Sequence, residues 1–382
     1  MIRKFFVFSS IIFSTALYAN CSPVNLVTEA KSPFAKIPVY DQDGLGTCYA
    51  YAASQQIDYY LIKNGGERSV HPLWAALKYA DAKNKTNVTG GTSAEAVKAI
   101  IRAGNCDQDK VSKAITVWAS KANVKEAEVV NLIEKLAPQM KSQLSQKKKK
   151  DPKAKGLTAN EVEVAIRAAI KEHQPFCSAG ATWDKLIPAL KSLKVLDSTV
   201  LLSHLIMPEC SSDLTKLRIP SPTILKSSTD IGWERILNSR LNKKTPISMS
   251  YCSKVLQAGV DHRGITKRGK VPNDNKYGQC GNHASLVVGK KEIGGSCHYL
   301  VRNTWGTGFS SATKKWNCLC KNRKTGKYLD NCTASKHNNG QYTVEGCWIN
   351  GKALAANIYG GSVLESVSVE DLQREVMKKP WY

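Results

Sequence analysis

The sequence has 382 residues, of which 42% are hydrophobic and 23% are charged. This composition allows a sizeable buried core and excludes a wholly disordered chain. The formal net charge is +24, and much of the excess lies between Arg240 and Glu345, a stretch with 19 basic and 5 acidic residues.

We interpret this basic charge as a solvated surface. The alternative is that the basic C-terminal half attracts a partner, either an anionic surface or a polyanion. The sequence has no specific nucleic-acid motif, because its basic residues are not interleaved with aromatic residues as in a nucleic-acid-binding module.

Residues 1–19 have the layout of a secretory signal peptide. Arg3 and Lys4 precede an apolar run from Phe5 to Leu17, and a small residue, Ala19, follows before the expected cleavage point. The alternative is a membrane anchor, but a helix that spans a bilayer needs about 20 apolar residues. No later stretch is apolar enough for a transmembrane segment. We therefore expect an exported protein, either periplasmic or secreted.

Twelve cysteines fit this destination, because disulfides persist in oxidising compartments. If one cysteine stays free, eleven remain, so at least one more is unpaired or pairs outside the chain. The pattern Cys318-Leu319-Cys320 lacks the two-residue gap of a zinc site. We expect no metal and no cofactor.

The first half of the chain predicts helices. Apolar residues recur at helical spacing over residues 48–64, and two shorter helices follow at 71–82 and 93–103. Residues 107–240 are rich in alanine, lysine, leucine and glutamate, which indicates a helical insertion. Within this insertion we expect an exposed loop at residues 147–150, a run of four lysines.

The second half predicts strands at residues 246–251, 284–288 and 297–303. Helices come first and strands later, without regular β-α-β alternation, and this order favours an α+β fold. The predicted organisation is a signal peptide at 1–19, an N-terminal helical part at 20–106, the insertion at 107–240, and a β-rich part with a cysteine-rich C-terminal extension at 241–382.

The setting of Cys48 favours a reactive thiol. Gly44 and Gly46 precede it, and the predicted helix begins at this position. The positive end of a helix dipole favours the thiolate, and the backbone amides there point at a developing oxyanion. The side-chain amide of Gln42 would add a second donor. The alternative for Cys48 is one half of a disulfide.

His283 has the best setting of seven histidines for a general base, because it starts a predicted apolar strand. The next predicted strand ends at Asn303, and adjacent strands bring the two residues together. An asparagine carbonyl that accepts the ring N–H would fix the histidine tautomer. Trp305 could cover that hydrogen bond. Taken singly, each residue is more often structural than catalytic.

Together these segments resemble the papain-like cysteine peptidases. The family has a glutamine six residues before the nucleophilic cysteine, as Gln42 precedes Cys48. It has an Asn-Ser-Trp-Gly-Thr-Gly run, which 303–308 match with Thr304 in place of serine. The Cys, His, Asn order along the chain also agrees. The resemblance covers residues 34–106 and about 245–310.

The resemblance implies a two-lobed fold, with a helical left lobe and an antiparallel β right lobe, here interrupted by a large helical insertion. It implies hydrolysis of peptide bonds in a peptide or protein substrate. Cys48 would be the nucleophile, as a thiolate paired with the imidazolium of His283. Asn303 would orient that histidine, which acts as the base, and Gln42 would be an oxyanion donor. Substrate would contact the residues that match the family's binding positions, namely Gly90, Gly91, Thr92, Ala284 and Trp305.

The chain also departs from the family. The cysteine expected at Leu45 and the one expected near Asn87 are absent, so the usual first-lobe disulfide cannot form. Two alternative functions stay open. One is a non-catalytic basic binding or adhesion protein on the same scaffold. The other is an acyl transferase or isopeptidase that uses the same triad.

Overall fold

The computed structural model describes residues 21–42, 46–154, 157–173, 185, 187–188, 198–211, 214–258, 280–306, 315–332 and 341–365. The predicted signal peptide lies outside these residues. Helices dominate the first half of the described chain and antiparallel strands the second. The predicted α+β class is therefore confirmed.

Three helices carry the N-terminal part, and their bounds are α1 (Cys48–Lys63), α2 (Pro72–Ala82) and α3 (Ser93–Ala103). Helix α1 is buried over its first twelve residues, polar ones included, because it packs against both the other helices and the sheet. The carbonyl of Ser362 accepts from Gln56 Nε2 at 2.9 Å, which joins the helix to a distant strand.

In the described part of the chain, four helices lie wholly within the predicted insertion, namely α4 (Gln108–Ala122), α5 (Glu126–Lys150), α6 (Ala159–His173) and α7 (Ser198–Cys210). A disulfide joins Cys106 to Cys210, and Thr199 Oγ1 donates to the Lys85 carbonyl at 3.0 Å. The insertion is thereby attached to the N-terminal helices. Its boundaries stay predictions.

The lysine run corrects one expectation. Residues 147–150 form the last turn of α5 instead of a loop, and the chain leaves the helix at Asp151. Four lysine side chains are favourable in this turn because their positive charges interact with the negative end of the helix dipole. Pro152 then follows the end of the helix, where a proline that cannot continue it is common.

Within the residues that the structure describes, nine strands form one sheet. Their bounds are β1 (Val24–Asn25), β2 (Thr223–Leu225), β3 (Ile247–Cys252), β4 (Asn282–Ile293), β5 (Ser296–Arg302), β6 (Cys318–Asn322), β7 (Tyr328–Cys332), β8 (Tyr342–Asn350) and β9 (Ile358–Val363). The order is β2-β9-β3-β4-β5-β8-β6-β7, with β1 paired to β4. All of these pairs are antiparallel.

A longer helix, α8 (Asp230–Asn242), lies beside the sheet. Three short helices complete the described elements, namely a 3₁₀ turn (Pro33–Ala35), α9 (Lys254–Ala258) and α10 (Gly351–Ala355).

Five disulfides tie the described chain together. They are Cys21–Cys297, Cys106–Cys210, Cys252–Cys280, Cys318–Cys347 and Cys320–Cys332. Cys48 is the one free cysteine among the described residues, and Cys177 lies outside them. Across the described ranges, no helix combines the length and the apolar character that crossing a bilayer requires.

Candidate active site

Cys48 is the first residue of α1, and Thr47 before it makes no side-chain cap. The cysteine is buried, with 9% of its surface exposed. Backbone N–H groups of Ala284, Tyr49 and Cys48 itself lie close enough to its sulfur to act on the pKa of the thiol. The amide of Ala284 belongs to the residue directly after His283, so the fold brings the sulfur to the start of β4.

His283 is the second residue of β4, and Asn303 follows the last residue of β5. The two strands form a hairpin through Gly294 and Gly295, both with positive φ. His283 Nε2 and Asn303 Oδ1 are 2.5 Å apart. Because an amide oxygen only accepts, the histidine donates from Nε2, and in the neutral ring Nδ1 is the basic nitrogen.

Two hydroxyl groups, those of Ser285 and Tyr251, hold Asn303 in place. Ser285 Oγ donates to Asn303 Oδ1 at 2.9 Å, and Tyr251 Oη lies 2.9 Å from Ser285 Oγ. Since the serine proton goes to Asn303, the tyrosine must donate to the serine. Burial raises the pKa of Tyr251, so this phenol keeps its proton. Sequence reasoning missed both residues. Period-two alternation from His283 was the signal that could have identified Ser285.

The ring of Trp305 lies over His283, with the ring centroids 4.6 Å apart at an interplanar angle of 35°. Trp305 is partly buried, whereas His283 is almost fully buried. Trp305 thus contacts the His283 ring, and its predicted cover over the His283–Asn303 hydrogen bond stays a prediction. Its role in substrate contact stays a prediction.

Arg302 holds the strand end that carries Asn303. Its guanidinium is fully buried and donates to Gln55 Oε1 at 3.0 Å, to the Ile37 carbonyl at 2.7 Å and to the carboxylate of Glu345. These partners belong to α1, to the N-terminal segment and to β8. Buried charges are tolerated when paired and hydrogen-bonded in this way. Arg302 thereby fixes the end of β5 relative to α1, which carries Cys48.

Gln42 lies beside the asparagine segment. Its backbone N–H donates to the Thr304 carbonyl at 2.9 Å, and its side-chain Oε1 accepts from Thr304 Oγ1 at 2.5 Å. Because the amide oxygen is engaged, Nε2 is the atom of this side chain that can donate to another group. The oxyanion role of Gln42 stays a prediction.

The glycine pair adjoins the start of α1. Gly90 N–H donates to the Gly46 carbonyl at 2.8 Å, and Gly90 adopts φ +65°, which favours glycine. A Cβ on Gly91 would lie 2.7 Å from the ring of Tyr79 and 2.8 Å from that of Tyr49. Gly90 is exposed and Gly91 partly so, which leaves backbone accessible for an extended peptide.

Thr92 is the N-cap of α3 and lines a cavity of about 750 Å³ between that helix and strands β2, β3 and β9. Ala284 is absent from the described lining of this cavity and lies against Cys48 instead. Thr92 and Ala284, both predicted to contact substrate, therefore lie at two different places, Ala284 at the thiol and Thr92 at the cavity.

Burial sets the protonation states of Cys48 and His283. It raises the pKa of Cys48 to about 11, against the opposing effect of the nearby backbone N–H groups. It lowers the pKa of His283 to about 4, against the opposing effect of the hydrogen bond that the ring donates to Asn303. Both groups are thus neutral near pH 7. The helix N-terminus alone predicts a thiolate, but the loss of solvation outweighs it.

Searches against protein-family models and against curated proteins gave no match. Among solved structures, the chain is similar to the digestive procathepsin L 3 of Tenebrio molitor larval midgut at 12% identity, with 92% of this chain and 72% of that chain covered and a TM-score of 0.38. A structure from a study of the mite allergens Blo t 1 and Der p 1 matches at 12% identity, covering 87% of this chain and 73% of that one, with a TM-score of 0.36.

The procathepsin B S9 of Trypanosoma congolense matches at 14% identity, covering 85% of this chain and 77% of that one, with a TM-score of 0.35. All three structures are of papain-like cysteine peptidases. The chain is similar to these peptidases, at identities and TM-scores too low to transfer the role of any residue.

Proposed function

We propose that this chain is an exported cysteine peptidase that hydrolyses peptide bonds at Cys48. The observation that carries the proposal is the juxtaposition of a free thiol with a histidine-asparagine pair. Cys48 Sγ lies against the amide that follows His283, and His283 is hydrogen-bonded to Asn303 at 2.5 Å. A thiol nucleophile, a histidine base and a group that orients the base are the parts that this form of covalent catalysis requires.

In the first step, Cys48 Sγ attacks the carbonyl carbon of the scissile bond while its proton moves to His283 Nδ1. Attack and proton transfer occur together because both resting groups are neutral. The oxyanion receives the backbone N–H of Cys48 and, in this proposal, Nε2 of Gln42. Asn303 stabilises the imidazolium by accepting its Nε2–H.

In the second step, the imidazolium of His283 gives its proton to the leaving amine, and the carbon–nitrogen bond breaks. An acyl-enzyme remains on Cys48. Water then attacks the thioester carbonyl, His283 takes one water proton, and the thiol leaves as the carboxylic acid product forms. The acceptor in this proposal is water.

Export is part of the proposal. Five disulfides within the described residues support an oxidising compartment. The polyanion partner gains no support from the described contacts, and it forms no part of the proposed function.

The test is active-site labelling of the purified mature protein with an epoxysuccinyl peptide, followed by peptide mapping. We expect one adduct, at Cys48, and complete loss of peptide hydrolysis in Cys48→Ala with an unchanged melting temperature. Removal of a nucleophile costs many orders of magnitude in rate. Undiminished turnover by Cys48→Ala, or an adduct at Cys177 alone, would end the assignment.

A further inference from the structure

The cavity beside α3 has a mixed lining of apolar and polar residues and lies near the proposed nucleophile. Its described lining contains six serines and Thr92, together with Lys226. It adjoins the catalytic strands, since Ser250 in its wall is paired across the sheet with Ala284, the neighbour of His283. It is also continuous along the chain with Gly91, which precedes Thr92. A peptide held beside Gly91 would extend one side chain into this cavity.

Lys226 is the one charged residue of the described lining. Lys226 is exposed, lines the cavity and makes no ion pair with any described residue. No acidic residue belongs to the described lining. The N-terminus of α3, an eleven-residue helix, also faces the cavity through Ser93 and Ala94. A helix N-terminus favours a negative group.

Ser93 supplies an independent sign of a ligand. It is the first residue of α3, and only 4% of its surface is exposed. Its hydroxyl has no hydrogen-bond partner within the described part of the chain. Buried hydroxyls are nearly always hydrogen-bonded, so this one is best explained by an acceptor that is present when the cavity is filled.

We propose that this cavity is a specificity site for an acidic side chain of the peptide substrate, with its carboxylate held by the Lys226 ammonium and the Ser93 hydroxyl. The inference rests on the proposed peptidase function and adds a substrate class to it. Lys226 and Ser93 are then binding residues, separate from Cys48 and His283. They come from chain segments more than 130 residues apart, and Lys226, which directly follows β2, brings a residue of the predicted insertion into substrate choice.

The test compares pairs of peptides that carry Glu or Gln in turn at each position before the scissile bond. At one position, we expect kcat/KM for Glu to exceed that for Gln by about 5-fold at low salt, the size of an exposed charge pair near 1 kcal/mol. The preference should vanish in Lys226→Met and fall at high ionic strength. The Lys226→Glu variant should instead prefer peptides with Lys at the same position.

The matched control is Lys324→Met, which removes an exposed lysine from the β6–β7 turn, away from the lining residues. It should keep the full Glu preference. Equal rates for Glu and Gln at every position in the wild type, or a preference that survives Lys226→Met, would overturn the inference. A third result would also overturn the inference. In it, free glutarate inhibits cleavage of the Gln peptide in a manner that depends on Lys226, while the wild type shows no preference for Glu over Gln peptides. The cavity would then bind a free anion instead of a substrate side chain.

Failure of the peptidase assignment is a different result. Binding of the same peptides to Cys48→Ala, measured by fluorescence anisotropy, needs no turnover. Glu-dependent binding that Lys226→Met removes would support the cavity even if the wild type hydrolysed nothing. Absence of any difference between the Glu and Gln peptides in binding would sink the inference even if Cys48 were labelled and active.

Discussion

The buried imidazole of His283 makes a quantitative prediction about stability against pH. Its pKa falls from 6.5 to about 4 because burial penalises the charged ring. The unfolded chain therefore binds a proton here below about pH 6.5, whereas the folded chain does not until about pH 4. The stability contributed by the neutral ring is complete above pH 6.5 and is lost as the pH falls towards 4.

The magnitude follows from the two pKa values. Each pKa unit corresponds to about 1.4 kcal/mol, so the full effect is about 3 kcal/mol, and about 2 kcal/mol of it is lost by pH 5. The perturbation is His283→Gln, which removes the titrating ring and keeps an amide for hydrogen bonding to Asn303. Both proteins carry Cys48→Ala, so that neither thiol titration nor self-cleavage enters the comparison.

The assay is urea unfolding at pH 7.5, 6, 5 and 4, with the disulfides intact. The His283 protein should lose about 2 kcal/mol more than His283→Gln between pH 7.5 and pH 5. Burial also lowers the pKa of His71 to about 3 and raises that of Asp58 to about 7, but both residues are present in both proteins and cancel. Parallel stability curves for the two proteins would refute the reasoning.

Two further predictions concern the residues around the thiol. Gln42→Glu keeps an oxygen to accept from Thr304 and removes the N–H donors, so kcat should fall at least 10-fold while circular dichroism stays unchanged. An unchanged kcat would contradict the oxyanion role. Gly91→Ala places a methyl group within 2.9 Å of two tyrosine rings and should cost about 1–3 kcal/mol in urea unfolding. Wild-type stability would show that the rings move aside freely.

Local signals in the sequence predicted the framework of the site. Helical spacing after Cys48 placed this residue at the start of α1, where the structure has it. Alternation within the two predicted strands placed His283 and Asn303 at neighbouring strand ends, and the short Gly294-Gly295 turn brings them together. Helix periodicity and strand alternation act over a few residues, so the sequence alone contains them.

The sequence-based prediction was less complete away from these motifs. The prediction covered three strands, whereas β1, β2 and β6 to β9 complete the described sheet. The run 147–150 was predicted as a loop because lysines suit exposed turns, although lysine is also a good helix former. Its helical state follows from its position at the C-terminal end of α5.

The sequence by itself determined the α+β class and the identity of Cys48, His283 and Asn303 as candidates, because these follow from short-range patterns. Only the tertiary structure decided the disulfide pairs, the Tyr251–Ser285–Asn303 hydrogen bonds and the cavity that unites Ser93 with Lys226. It also decided that Cys48 and His283 are neutral at rest, since the pKa of each group depends on burial by residues far away in the chain. Burial and long-range contact are properties of the folded chain, which no local pattern of residues specifies.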